Sequence, residues 1–95
     1  MPVYAIVQGK IEDQEKLEQY AAKAGPTVSA HQGRLVAYDE APVVVEGKMP
    51  LPRTVVIEFP SMKEFRAWYD SPEYQKILPL RLKGAPGTFI VVEGA

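Results

Sequence analysis

The residues able to do chemistry in this chain are few, and they lie close to the ends of predicted elements. His31 is the sole histidine. It ends the first helical pattern, and its imidazole makes it a candidate general base. The competing reading is a cation set against a helix C-terminus. Glu58, in the strand-like run RTVVIEF, is the second candidate for proton transfer. Arg34 and Arg53 each open a predicted strand, and a guanidinium offers paired donors to a carboxylate or phenolate. Arg34 and Glu58 are expected on neighbouring strands. There they either point into one cavity as a ligand anchor or form a structural cross-strand pair. Trp68, Tyr69 and Tyr74 either wall an aromatic pocket or pack as core and dimer interface.

Composition removes several alternatives. The chain has 95 residues, no cysteine and one histidine, so disulfides, thiolate metal sites and a multi-histidine zinc site in one chain are excluded. A net charge of −1 gives no field for nucleic acid. No apolar run approaches the ~18 residues of a membrane span. The opening MPVYAIVQGK reads as a strand, not a signal peptide, and a cytoplasmic protein is expected. GAPG at 84–87 lacks the spacing and lysine of a phosphate loop and reads as a turn. Arg81-Leu82-Lys83 reads as a solvated helix end. Ser29, Ser61 and Ser71 read as helical or capping residues. No metal or other cofactor is expected.

The elements that must position these residues follow from periodicity. Strands are predicted at Val3–Gly9, Arg34–Tyr38, Arg53–Phe59 and Thr88–Glu93, with a short edge strand at Val43–Val45. Asp13 caps a helix whose apolar stripe is Leu17, Tyr20, Ala21, Ala24 and Val28. Gly25-Pro26 predicts a kink or two short helices, and Gly33 the stop. Ser61 to Glu64 has the spacing of a capping box, and Ser71-Pro72 restarts a second helical segment, so Trp68 and Tyr69 fall at a corner. Tyr74, Ile77, Leu78 and Leu82 form that segment's stripe, and Pro79 is expected to bend or shorten it. The order β-α-β-(β)-β-α-β, in one domain spanning 1–95, predicts an α+β fold. It is a ferredoxin-like, split β-α-β antiparallel sheet with its helices on one face.

Helices on one face leave the other bare. Yet Val3–Val7, Val55–Ile57 and Phe89–Val92 are apolar on both sides of the pleat, where a wet face would alternate. A second copy of the chain is the expected cover, giving a homodimer with its two sheets packed as a barrel-like core.

Val55 to Leu82 (VVIEFPSMKEFRAWYDSPEYQKILPLRL), Val91 to Gly94 (VVEG) and Tyr20 to Arg34 (YAAKAGPTVSAHQGR) resemble the small bacterial proteins grouped as domain of unknown function 1330. The resemblance covers nearly the whole chain and implies a dimeric α/β barrel. Two positions depart from the family pattern: Gln32 replaces a second glycine before Gly33, and Ala37-Tyr38-Asp39 replaces an arginine and glycines. Two functional readings follow. In one, the dimer is a cofactor-free enzyme acting on a small aromatic or oxo-acid metabolite. Proton transfer then falls to His31 or Glu58, orientation to Arg34 and Arg53, and stacking to Trp68, Tyr69 and Tyr74. In the other, it is a non-catalytic ligand-binding or assembly dimer whose polar residues are structural pairs. Haem binding, implied by fold kinship and the lone histidine, ranks third.

Overall fold

Apolar alternation and helix caps place seven elements. In the computed structural model, which describes Met1–Ala95, they are β1 (Val3–Gly9), α1 (Gln14–Ala30), β2 (Arg34–Asp39), β3 (Arg53–Phe59), α2 (Met62–Tyr69), α3 (Pro72–Gly84) and β4 (Gly87–Glu93). The strands form one antiparallel sheet in the order β2-β3-β1-β4, the ferredoxin-like arrangement. In β1 and β3 every second residue is buried. Val3, Ala5, Val7, Val55, Ile57 and Phe59 meet the helices there, with Trp68 and Tyr74 as the largest buried side chains. The Cα envelope measures 34 × 32 × 15 Å, the thickness of two layers and no more.

The other sheet face is ordered in transverse rows. Strand register aligns Ala37, Val56, Ile6 and Ile90 across all four strands. On one side of this apolar row lies Arg34-Glu58-Tyr4-Val92, and on the other Asp39-Thr54-Gln8-Thr88. The face is therefore apolar through its middle, with a charged pair and Tyr4 on one side and a fully polar row on the other, a narrower stripe than the sequence alone suggested. Ile90 and Val92 stand 48% and 40% exposed. The accessible surface, 5991 Å², exceeds the ~5,400 Å² expected of a folded monomer of this mass.

Three local expectations are corrected. First, α1 is one continuous helix of 17 residues through Pro26, not two short ones. Proline removes a single amide donor, while burial of Leu17, Tyr20, Ala24 and Val28 holds both halves against the sheet and α3. α3 likewise runs through Pro79 to Gly84. Second, Val43–Val45 is not a strand; Val43 and Val45 are 89% and 88% exposed, and residues 40–52 are irregular. Prolines 42, 50 and 52 withhold the donors that a strand pairing would use. Third, Ser61 does not cap a backbone amide; its hydroxyl bonds the Glu64 carboxylate directly. This holds the Glu64 carboxyl below the usual carboxylate range.

The exit from α1 explains the Gln-Gly pair. Gly33 donates its amide to the Val28 carbonyl (2.9 Å) and Gln32 to the Ser29 carbonyl (3.1 Å), which is the Schellman pattern. The left-handed residue is Gln32, with φ 65°, and not the glycine. Gly33 serves another purpose, because a Cβ there would lie 2.6 Å from Val28 Cγ1 and 2.7 Å from Phe59 Cε1. Gln32 thus carries a conformational penalty that glycine lacks. Gln32→Gly should stabilise the protein by about 0.5–1 kcal/mol, raising Tm by a few degrees in a thermal melt. An unchanged or lower Tm would contradict this reading of the turn.

Candidate functional site

The joint between α2 and α3 fixes one wall of a cavity. Ser71 donates its hydroxyl to the Trp68 carbonyl (2.7 Å) and accepts from the Tyr74 amide (3.2 Å), tying the end of one helix to the start of the next. Trp68 is 1% exposed, packs on Phe59 and Tyr74, and donates Nε1–H to Thr27 Oγ1 at 3.0 Å. That bond locks α2 against α1. The Trp68-Tyr69 corner is a folding device whose inner member, Trp68, also lines a cavity.

The cavity, about 430 Å³, lies between α1 and the β2–β3 side of the sheet. Small residues on α1 make the space: Ala21, Ala24 and Gly25 line it, and nothing lies within 4 Å of where a Gly25 Cβ would stand. Val28, Val55, Ile57 and Phe89 add apolar wall, and exposed Leu35 and Tyr38 form the rim. Leu35 and Tyr38 face the same way although three residues apart, because the β2–β3 register slips between Leu35 and Ala37. The bulge at Val36 re-phases the strand and turns Tyr38 inward.

Two cationic side chains occupy the floor. Arg53 and Arg81 are 5% and 4% exposed, and both line the cavity. Arg53 lies 5.3 Å from the centre of the Tyr38 ring, and its Nε and Nη1 have no hydrogen-bond partner. Arg81 donates from Nε to the Tyr74 hydroxyl (3.2 Å) and lies 5.2 Å from the centre of the Phe89 ring. The chain's single ion pair is Arg34–Glu58, so neither buried arginine has a carboxylate partner. Tyr74 in turn hydrogen-bonds Tyr20 at 2.9 Å between hydroxyl oxygens. Burial is the main cause raising the Tyr20 phenol far above its ordinary value, and the neighbouring Tyr74 adds to it. Tyr38, whose hydroxyl bonds Glu40 at the surface, is raised chiefly by burial as well.

The structure separates the residues singled out from sequence. Arg34, Arg53 and Trp68 line the cavity. Tyr74 stands behind it through its hydroxyl, and Tyr69 packs beside Phe65 and Phe89, outside it. His31 is half-buried at the end of α1 and is not part of the wall. Glu58 and Arg34 are cross-strand partners joined at 2.8 Å, with side chains 26% and 69% exposed. Their row lies on the face turned from the helices and Glu58 is not in the cavity wall, so the structural cross-strand pair is the alternative seen, although Arg34 also lines the cavity; strand alternation decides it, because Ile57 and Phe59 take the inward positions. Arg81 is corrected outright: it is a buried cavity residue, not a solvated terminus. The inward face of α3 is Tyr74, Ile77 and Arg81, while Leu82 is 53% exposed. Tyr20, Tyr38 and Arg81 were missed as site residues. The available signal was an arginine seven residues after Tyr74 and four after Ile77, on the apolar stripe.

The Arg34 guanidinium, and secondarily the Tyr4 hydroxyl at 3.0 Å, hold the Glu58 carboxyl below its ordinary value. A carboxylate with a lowered folded value adds stability that is complete above the unfolded value near 4.5 and is lost as pH falls through the folded one. Denaturant midpoints should therefore be flat above about pH 5 and fall below it, and Glu58→Gln should make the acid side shallower. An acid limb identical in both proteins would rule out this contribution.

With the geometry in place, comparison with known proteins assigns the lineage. The model of the domain of unknown function DUF1330 matches residues 2–95. The chain belongs to the DUF1330 family. Among solved structures, the fold is similar to that of a protein of unknown function from Rhodopseudomonas palustris, with TM-score 0.83 at 15% identity, covering 99% of this chain and 82% of that one. A dimeric ferredoxin-like protein of unknown function from a Jannaschia species gives TM-score 0.70 at 13% identity, over 99% of this chain and 100% of that one. Another dimeric ferredoxin-like protein of unknown function, from Thermobifida fusca, gives 0.60 at 18% identity, over 97% and 88%. At such identities the likeness is one of fold. No curated protein matches. In this DUF1330 chain no three potential metal-ligating side chains (His, Cys, Asp or Glu) come together, and no helix is long and apolar enough to cross a membrane.

Proposed function

We propose that the protein is a homodimer that binds a small organic carboxylate of largely apolar body in the cavity between α1 and the sheet. The observation that carries this reading is Arg53: a guanidinium 5% exposed, with Nε and Nη1 unpartnered, at an apolar cavity. A buried charge without a counter-ion is strongly unfavourable, and a carboxylate matched to the guanidinium fork relieves it. Arg81 reinforces the positive floor, and Trp68 with Phe89 supplies flat apolar surface. About 430 Å³ accommodates a single-ring acid. Pairing of the bare sheet faces is supported by the apolar row through Ile6 and Ile90 and by the description of two structural neighbours as dimeric.

Binding is favoured over catalysis within one chain because the cavity wall holds no carboxylate, histidine, lysine or cysteine to move a proton. His31 and Glu58 remain the proton-transfer candidates of the enzymatic reading, acting on a small aromatic or oxo-acid metabolite, and that reading requires the ligand to reach beyond this wall.

The test is a thermal-shift and calorimetric titration with 3-phenylpropanoate against its amide. The acid should raise Tm in proportion to the logarithm of its concentration above Kd, and the amide should not. Equal effects of acid and amide, or none from either, would overturn the proposal.

A further inference from the structure

The hydroxyls behind the cavity have a defined direction. Tyr74 is fully buried, and its oxygen has two polar neighbours, Arg81 Nε and the Tyr20 hydroxyl. Arg81 is a donor only, so the Tyr74 proton has one acceptor within reach, the Tyr20 oxygen. An unmade bond at a buried hydroxyl is costly, which sets the order Arg81 to Tyr74 to Tyr20. Tyr20 then accepts from Tyr74 and keeps its own proton to give. Tyr20 is 9% exposed, lines the cavity, and has no other hydrogen-bond partner. The residue carrying this polarised donor thus lines the same apolar cavity as Arg53.

We propose that the Tyr20 hydroxyl is a second recognition point, donating to an uncharged carbonyl oxygen of the ligand whose carboxylate Arg53 holds, so that the site selects oxo-acids over the matching plain acids. This rests on the carboxylate reading of the cavity. Arg53 supplies affinity for the anion, and Tyr20 supplies the choice among anions. Burial keeps the Tyr20 phenol protonated throughout the working pH range, so it remains a donor. A site built to hydrogen-bond an oxygen rejects the analogue lacking it, because its buried donor is then left unpaired.

The experiment measures Kd by calorimetry for two matched pairs: 2-oxo-3-phenylpropanoate with 3-phenylpropanoate, and 4-oxo-4-phenylbutanoate with 4-phenylbutanoate. The wild-type protein should prefer the oxo member of at least one pair by about tenfold. Tyr20→Phe should bring that ratio close to one. Tyr74→Phe, which leaves Tyr20 in place but removes the hydroxyl that orients it, should lower the ratio part of the way. Arg53→Met should weaken both members of the pair together. Carboxylate binding with no oxo preference, or a preference that Tyr20→Phe leaves intact, overturns this inference and spares the carboxylate reading. Absence of binding by all four acids overturns both.

Discussion

Replacing Arg53 by methionine should make the unliganded protein more stable and abolish its recognition of carboxylates. The arginine lies 5% exposed with two nitrogens unpaired, beside Val55 and over the Tyr38 ring. Methionine has a similar length, no charge to desolvate and a flexible apolar stem suited to the cavity wall. Exchanging even a paired buried charge for packed apolar residues is often neutral or gains about 1–4 kcal/mol, and an unpaired one stands at the favourable end. The contact with Tyr38 offsets about 0.5–1 kcal/mol of that. The net gain, about 1–3 kcal/mol, would raise Tm by about 5–15 °C at fixed protein concentration. Affinity for 3-phenylpropanoate should fall about a hundredfold, the worth of charge-assisted bonds in a dry site. Opposite signs for stability and binding mark a residue kept for its ligand and not for the fold. A variant that is both less stable and still able to bind would show Arg53 to be structural.

The second large effect concerns the bare sheet face. Ile90 ends the apolar row that runs through Ala37, Val56 and Ile6, and it is 48% exposed in the single chain. Ile90→Lys should leave the chain's own core intact, since the substitution projects away from Trp68 and its neighbours. In a symmetric pairing two lysines, one from each copy, would be buried in the interface without a counter-ion. Dimer dissociation should strengthen by about a hundredfold or more, so that sedimentation at micromolar concentration shows the 10.5 kDa subunit. The helical circular dichroism should persist. A variant sedimenting identically to the wild type would place the interface elsewhere, and a monomeric wild type would remove it.

These two residues illustrate what the amino-acid sequence reveals. The strands and helices were legible because Val3–Gly9 and Arg53–Phe59 are short apolar, β-rich runs and because Asp13, Ser71 and Pro72 mark helix starts. Local signals of that kind need no partner element to be read. The open face was legible because those runs are apolar on both sides of the pleat, although its polar row of Asp39, Thr54, Gln8 and Thr88 depends on register that the runs alone do not fix. The cavity was less visible. Arg81 looks like a helix-end cation until α3 is turned so that Tyr74 and Ile77 face inward, and then it must follow them. Tyr20 reads as one more member of an apolar stripe, since nothing in its spacing shows a hydroxyl meeting Tyr74 from an element 54 positions away. Tyr38 enters the site only because of an irregularity in strand pairing. Arg34 and Glu58 were read as neighbours, but the side of the sheet they occupy followed from phase along β3.

The central claim is that Arg53 waits in an apolar cavity for a carboxylate. Its Nε–H proton, which has no acceptor in the free protein, reports this directly in a nitrogen–proton correlation spectrum, assigned by its disappearance in Arg53→Met. Titration with 3-phenylpropanoate should move that resonance downfield along a saturable curve matching the calorimetric Kd, while Arg34, already paired with Glu58, moves little. An Arg53 signal that stays fixed as the acid is raised to saturating concentration would contradict the account.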